Sequence, residues 1–142
     1  MGVKKHKLEL AIDEDFCLLG VVTDEPDYKL CWRINKAFEM NFEREEELQL
    51  YHRKRDIEQV FSLYHYHDKE SLITYRIIKN RSEEGYFLEE LKNIDYLIHI
   101  QGEINTSRIS GLMLSVGALE LVRMCVPCDL SRLKNKERLL LW

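Results

Sequence analysis

The first apolar positions of the chain alternate with polar or small ones. In residues 8–12, leucine or isoleucine occupies every second position, which predicts a half-buried strand because successive strand side chains point to opposite faces. Residues 13–15 are all acidic and interrupt this pattern. The more fully apolar run over residues 16–22 then predicts a second strand.

Two stretches show the 3.6-residue spacing of an amphipathic helix, and the first begins near Pro26. We expect a helix over residues 25–40, with Asp24 as its side-chain N-cap and Pro26 in its first turn. One face of this helix is apolar and is expected to meet the core. Its core-facing positions are Leu30, Ile34, Ala37, Phe38 and Asn41.

The second helix is expected near the other end of the chain. Its potential N-caps are Asn105, Thr106 and Ser107, and Gly117 stands where a left-handed C-cap belongs. The apolar positions between them fit the spacing i, i+3, i+4, i+7. They are Ile109, Leu112, Met113 and Val116.

Five further segments have the aromatic, β-branched or alternating composition of strands. They are residues 48–52, 60–67, 72–78, 94–100 and 119–126, the last of them stopped by Pro127. The linker over residues 68–71 has the length of a hairpin loop. We therefore predict an α+β fold, an antiparallel sheet of about five to seven strands with two main helices packed on one face. This arrangement is a two-layer sandwich.

Composition sets bounds on this picture. The chain has 142 residues, of which 45% are hydrophobic and 32% charged, which predicts a single globular domain over residues 1–142. Its 21 basic and 25 acidic residues give a net charge of −4, which argues against nucleic acid as a partner. The charge is segregated, however, because residues 43–47 are largely acidic and residues 52–55 are basic.

The sequence also favours one compartment. The basic N-terminus is not followed by an apolar core of signal-peptide length. No uncharged run approaches the roughly 18 residues of a membrane span, so no membrane partner is expected. The four cysteines of such a chain are expected to be free thiols, as in reducing compartments. We predict a cytoplasmic protein.

Residues 88–96, Leu-Glu-Glu-Leu-Lys-Asn-Ile-Asp-Tyr, resemble the signature of a bacterial family that is called IPExxxVDY after its motif. Asp95 and Tyr96 match the motif outright, and Glu89 stands in place of its proline. The other motif positions are occupied by Leu88, Glu90 and Ile94, which stand for Ile, Glu and Val.

Three more stretches are similar to the same family and occur in the same order. They are residues 27–36, 61–64 and 133–140, so the resemblance extends over most of the chain. The family has no assigned activity, cofactor or catalytic residue. The resemblance therefore implies a bacterial protein and supplies no chemistry.

Cys125 and Cys128 form a CxxC pair, the arrangement of disulfide-exchange enzymes. Asp129 follows at once and would raise a thiol pKa, so we interpret the pair as incidental. Together with His65 and His67 the two cysteines would supply four zinc ligands, but the spacing signature of a zinc site is missing. We predict no metal and no cofactor.

Glu90, Asp95 and Tyr96 are acid–base residue types that lie close together in sequence. A general acid or base requires a cleft and a shifted pKa. The interpretation that we favour is structural: Tyr96 points to one side of the sheet, while Asp95 points to the other and holds the amides of a neighbouring loop. Motifs of nucleophile elbows, phosphate loops and zinc proteases are all missing.

Tyr28, Trp32 and Asn35 lie at i, i+4 and i+7, a stripe that flanks the core face of the first helix. Exposed aromatic residues beside an amide are typical of binding anchors. The alternative is that this helix is buried along a wider face. The apolar tail, residues 139–142, is expected to dock either on its own domain or on a partner.

Three functions remain open. The first is a non-catalytic interaction or adaptor domain that binds a protein partner or a second copy of the chain. The second is a small-ligand-binding protein or enzyme with a pocket near Glu90, Asp95 and Tyr96. The third is an RNA-associated factor that stacks bases on an aromatic sheet face beside a basic turn. These aromatic and basic residues are Tyr64, Tyr66 and Tyr75 with Arg53, Lys54 and Arg55.

Overall fold

The computed structural model of the protein describes residues 12–13, 16–134 and 136–142. The strand predicted over residues 8–12 lies outside this part of the chain except for Ile12. The strands are β1 (Ile12–Asp13), β2 (Phe16–Thr23), β3 (Glu43–Arg44), β4 (Leu48–His52), β5 (Ile57–Phe61), β6 (Leu63–Asp68), β7 (Ile73–Lys79), β8 (Arg81–Ser82), β9 (Gly85–Tyr86), β10 (Tyr96–Gln101) and β11 (Val122–Pro127). The helices are α1 (Asp27–Phe38) and α2 (Thr106–Gly117), with short 3₁₀ helices at Glu89–Leu91, Leu130–Arg132 and Lys136–Leu140.

Seven of these strands form one antiparallel sheet. Its strands run in the order β2–β10–β7–β6–β3, and β1 and β11 both pair with the remaining edge of β2. The strands β4 and β5 form a separate two-stranded ladder, and so do β8 and β9. With its two helices this is the predicted α+β fold, and the prediction is confirmed.

Both helices pack on the same face of the sheet, as predicted. Leu30 and Ile34 of α1 and Ile109 and Val116 of α2 are buried in one hydrophobic cluster. Alternate strand residues supply the other side of this cluster, because strand side chains repeat every second residue. These residues include Cys17, Leu19, Val21, Tyr75, Ile77, Tyr96, Ile98 and Ile100.

The opposite face of the sheet is covered as well. There Leu18, Ile78 and Leu97 pack against Phe87, Leu88 and the C-terminal residues Leu130, Leu133 and Leu139. The sheet is therefore the middle of three layers, and the expected two-layer sandwich is wrong. The physical reason is that β2 is mostly apolar on both faces and β10 is buried on both faces, so that each face of the sheet requires a cover.

The start of α1 differs from the prediction. The N-cap is Pro26, whose extended backbone makes no side-chain cap bond, and Asp24 instead pairs with the guanidinium of Arg123. The preceding turn is held by Thr23, whose Oγ1 accepts from the amide of Glu25 at 3.2 Å. The buried face of α1 is also narrower than expected, since Ala37 is exposed. Its last expected member, Asn41, lies beyond the helix end and is exposed too.

The helix α2 starts as predicted but ends differently. The side chain of Asn105 accepts a hydrogen bond from the amide of Arg108 at 3.1 Å, which confirms it as the N-cap. Gly117 is the last helical residue and does not adopt a positive φ, so the expected left-handed cap is wrong. The right-handed residue Ala118 follows, and its amide donates to Leu114 O at 3.1 Å and to Ser115 O at 3.2 Å, the second of which tightens the last turn.

The strand predicted over residues 60–67 is in fact two strands. The chain breaks at Ser62, because β5 pairs with β4 whereas β6 pairs with β7 in the main sheet. The last strand also includes Pro127, which was expected to stop it. Proline lacks the amide hydrogen, and an edge strand such as β11 tolerates this. Neither α1 nor α2, nor any shorter helix within the described residues, is long and apolar enough to cross a membrane.

Candidate functional site

The outer face of α1 carries two exposed aromatic side chains one helical turn apart. Tyr28 is 65% exposed and Trp32 is 55% exposed. The alternative interpretation, in which a wider buried face covers them, is therefore wrong. The indole of Trp32 has Lys36 Nζ at 5.2 Å and the guanidinium carbon of Arg33 at 5.9 Å from its ring centroid, within the range of cation–π contacts.

The third residue of the predicted stripe does not belong to this surface. The Asn35 carboxamide turns to the connection after the helix, where its Oδ1 accepts from the Phe42 amide at 2.7 Å. Its Nδ2 donates to Phe42 O at 3.1 Å. Asn35 thus closes the link between α1 and β3, and we define the aromatic face of α1 as Tyr28 and Trp32 alone.

The charge beside the aromatic face is mostly positive. Lys29, Arg33 and Lys36 all lie on α1, and Lys29 is neutralised by Glu25 at 3.4 Å. The remaining cations border the indole of Trp32. A partner surface that is complementary to this face therefore combines apolar groups with carboxylates.

Asp95 and Tyr96 are bonded to the segment that leads into α1. Asp95 Oδ2 accepts from the amide of Thr23 at 3.0 Å, so Asp95 does hold an amide of another segment, although this amide belongs to the last residue of β2 and not to a loop. The hydroxyl of Tyr96 donates to Glu25 O at 2.7 Å. Burial raises the pKa of Tyr96 above its ordinary value, which keeps the phenol protonated. Both side chains fix the turn between β2 and α1.

Glu90 lies elsewhere. Its Oε2 accepts from the amide of Lys134 at 2.8 Å, which ties the Glu89–Leu91 turn to the C-terminal segment. The structure therefore brings together two of the three acid–base residues that sequence grouped. A shared site of Glu90, Asp95 and Tyr96 is not formed.

A cleft does open beside Asp95 and Tyr96, at the N-terminal end of α1. It has a volume of about 360 Å³ and is lined by residues 23–26, by Lys79 and Arg81, and by Asp95 with Tyr96. Three adjacent strands of the sheet each have one terminus at this cleft, since β2 and β7 end there and β10 begins there. We call this space the β2–α1 cleft.

The two cysteines of the CxxC pair lie on opposite faces of the sheet. Cys125 packs against the cluster under the helices, whereas Cys128 is buried in the cluster on the other side. Burial raises the pKa of both thiols to about 12, so that neither is a thiolate near neutral pH. This environment supports the interpretation of an incidental pair.

The histidine pair lacks the other ligands of a zinc site. His65 and His67 share the sheet face of Leu63, away from Cys125, and His67 Nδ1 lies 2.9 Å from Thr74 Oγ1. Within the described ranges, no three histidine, cysteine or acidic side chains group so as to hold a metal ion.

The aromatic residues of the RNA-binding alternative are mostly covered. Tyr64 and Tyr75 are buried in the cluster beneath the helices, and Tyr66 stacks on Tyr75 with ring centroids 5.6 Å apart. The basic turn over residues 53–55 belongs to the β4–β5 hairpin, which packs against the opposite face. The rings of Tyr64 and Tyr75 are therefore closed to the bases of a single strand, and Tyr66 is partly buried, so the three rings do not form an exposed stacking platform.

Two polar residues that each bond to several segments were not predicted from the sequence. Asn80 is fully buried, and its Nδ2 donates to Leu91 O at 2.8 Å and to Ile94 O at 3.0 Å. Arg138 donates to Phe87 O at 3.0 Å and to Gln59 Oε1 at 2.7 Å. No local sequence pattern shows that an asparagine in a polar loop, or an arginine in a charged tail, will bond to distant segments.

The apolar tail docks on its own chain. The indole of Trp142 lies 5.1 Å from the His99 ring and 4.6 Å from the guanidinium carbon of Arg76, and Gln101 Nε2 donates to Trp142 O at 3.2 Å. Leu140 and Leu141 remain about half exposed.

Comparison of the chain with protein-family models, curated proteins and solved structures gives no match.

Proposed function

We propose that this protein is a non-catalytic interaction domain that docks a partner protein on the aromatic face of α1. The observation that carries the proposal is the exposure of Tyr28 and Trp32, which lie one turn apart on a regular helix. Aromatic side chains of this kind are the commonest anchors of protein interfaces. Because α1 is fixed to the sheet by Leu30 and Ile34, the anchors are presented on a rigid element.

The absence of a free acid–base pair supports a non-catalytic role. Within the described residues, Asp95, Tyr96 and Glu90 each bond to a backbone group of another segment. Their hydrogen-bonding capacity is thereby used to hold the fold. The cysteine thiols are protonated near neutral pH, which disfavours nucleophilic chemistry.

The charge around the anchors defines the chemistry of the partner. Arg33 and Lys36 border the ring of Trp32, so the proposed partner presents an acidic segment with at least one apolar side chain. The free thiols are consistent with a reducing cytoplasm, and the resemblance of residues 88–96 to the IPExxxVDY signature adds a bacterial cytoplasm to the proposal.

The test compares the wild-type chain with the double variant Tyr28→Ala/Trp32→Ala. A partner recovered with the wild-type protein from bacterial lysate is identified, purified and titrated against both proteins. We expect the double variant to bind at least about tenfold more weakly, because truncation of a buried aromatic anchor costs about 2 kcal/mol or more. Binding should also weaken as salt rises.

The matched control is Leu114→Ala, which removes an exposed apolar side chain from the other helix. Leu114 is 70% exposed, so its loss should leave both folding and partner binding unchanged. Equal binding by the wild type and the double variant would contradict the proposal. If the recovered partner is a second copy, light scattering should show a dimer that the double variant lacks.

A further inference from the structure

The β2–α1 cleft has the size of a small-molecule site. Its volume of about 360 Å³ lies within the range of pockets that enclose small ligands. The turn at residues 23–26 forms one wall, and Tyr96 forms another. Since Asp95 and Tyr96 are bonded to that turn, the cleft is held in shape by hydrogen bonds across β2 and β10. The distinguishing feature of the cleft is the way in which the charged side chains of its lining are paired.

Each carboxylate that lines the cleft already has a partner. The three ion pairs are Asp24 with the guanidinium of Arg123, Glu25 with Lys29 Nζ at 3.4 Å, and Asp95 with the guanidinium of Arg81 at 4.0 Å. Arg123 and Lys29 lie outside the lining of the cleft. Each carboxylate of the lining is therefore matched by a cation, and of these three cations Arg81 lies in the lining itself.

The two cations of the lining differ in their partners. The Lys79 ammonium makes no ion pair and no hydrogen bond with another residue in the described part of the chain. The Arg81 guanidinium forms an ion pair with Asp95, but its NH2 group lies 4.0 Å from Asp95 Oδ1, which is too far for a hydrogen bond, and its side chain is 59% exposed. Lys79 ends β7 and Arg81 begins β8, so both are anchored by the same short segment.

We propose that the β2–α1 cleft binds the oxyanion of a small molecule, a phosphate or carboxylate group held between Lys79 and Arg81. The planar guanidinium presents two parallel donors to such a group, and the flexible ammonium supplies a point charge. The ligand body lies against Pro26, an exposed apolar residue of the lining. The site is separate from the aromatic face of α1 and does not depend on the docking proposal.

The experiment titrates the wild-type protein with inorganic phosphate and, separately, with succinate at constant ionic strength, and follows backbone amide NMR shifts. We expect saturable shifts at residues 23–26 and around Arg81. Lys79→Gln and Arg81→Gln should each weaken binding by roughly tenfold, which corresponds to the loss of about 1.4 kcal/mol. Saturation by phosphate identifies a phosphate site, and saturation by succinate alone identifies a carboxylate site.

Lys69→Gln is the matched control, because it removes the same charge from an exposed position in the β6–β7 loop. It should leave both titrations unchanged, and Lys79→Arg should retain most of the affinity. Circular dichroism shows that the variants are folded. The proposal is overturned if neither anion gives saturable shifts, or if Lys69→Gln weakens binding as much as Lys79→Gln does. The Tyr28→Ala/Trp32→Ala variant should bind both anions normally, which keeps the two proposals apart.

Discussion

The imidazole of His99 is enclosed at the centre of the sheet with no exposed surface. It stacks on Phe16 with ring centroids 4.7 Å apart, and Trp142 lies on it at 5.1 Å. A carbonyl oxygen only accepts, so the 3.1 Å contact with Leu139 O requires the proton on Nε2. Nδ1 has no hydrogen-bond partner in the part of the chain that the structure describes.

This environment disfavours the imidazolium. Burial lowers the pKa of His99 to about 4, and the neighbouring charge of Arg76 adds to the effect, while the bond to Leu139 opposes it. The folded state therefore binds a proton less readily than the unfolded state, whose histidine has a pKa near 6.5. The contribution of His99 to stability is complete above about pH 6.5 and is lost as the pH falls from there towards 4.

Urea unfolding at a series of pH values tests this contribution of His99 to stability. Between pH 7 and pH 4.5 we expect the wild-type protein to lose up to about 3 kcal/mol more than His99→Gln, which has no imidazole to protonate. Carboxylates with lowered pKa values, such as Asp68 and Asp129, are common to both proteins and cancel in the comparison. Parallel pH profiles of the two proteins would show that His99 does not titrate as described.

At the scale of elements, the segment between β9 and β10 depends on one side chain. Asn80 follows β7, and its carboxamide bonds to both ends of the segment, with Leu88 N donating to Oδ1 at 2.9 Å. Its backbone also accepts from the Phe87 amide at 2.7 Å and donates to Asp95 O at 2.9 Å. The stretch that resembles the family signature is thus shaped around Asn80.

We expect Asn80→Ala to reduce the free energy of unfolding by about 2–4 kcal/mol. It removes three side-chain hydrogen bonds and leaves the amide of Leu88 and the carbonyl oxygens of Leu91 and Ile94 without this partner. Chemical denaturation gives the value. Asn93→Ala, at an exposed position of the same segment, should change stability by less than about 0.5 kcal/mol. Comparable losses in the two variants would contradict the role of Asn80.

At the scale of the molecule, the sheet and the layer opposite the helices meet at Gly20 in β2. A Cβ atom at this position would lie 2.8 Å from Ile94 Cδ1 and 3.2 Å from Cys128 Sγ. Both neighbours belong to the layer opposite the helices. The glycine therefore sets how closely that layer approaches the sheet, because real Cβ contacts are longer than these.

Gly20→Ala should destabilise the protein by about 1–3 kcal/mol through overpacking. Ile94→Val removes the nearest methyl group, so the double variant should lose less than the sum of the two single losses. Thermal or urea unfolding of the four proteins of this cycle provides the measurement. Gly111→Ala is the contrast: its Cβ meets open space on α2, and a gain of about 0.5–1 kcal/mol is expected. Strict additivity at Gly20 and Ile94 would count against the packing described.

Local pattern determined the elements of this protein. The spacing of apolar residues identified both helices, and Asn105 marked the start of α2, because caps and periodicity act within a few residues. The sequence also indicated that Asp95 holds a backbone amide of another segment, which is the amide of Thr23. The class of fold, with both helices on one sheet face, follows from these local signals.

Only the tertiary structure decided which of these residues meet. Asp95 reaches an amide 72 positions away in sequence, Asn35 turns inward to Phe42, and Glu90 bonds to Lys134. Proximity in sequence grouped Glu90 with Asp95, but the 3₁₀ turn between β9 and β10 separates them. Periodicity shows that a face is buried and does not show what buries it. The third layer, the exposed anchors of α1 and the uncompensated Lys79 in the β2–α1 cleft arise from long-range packing.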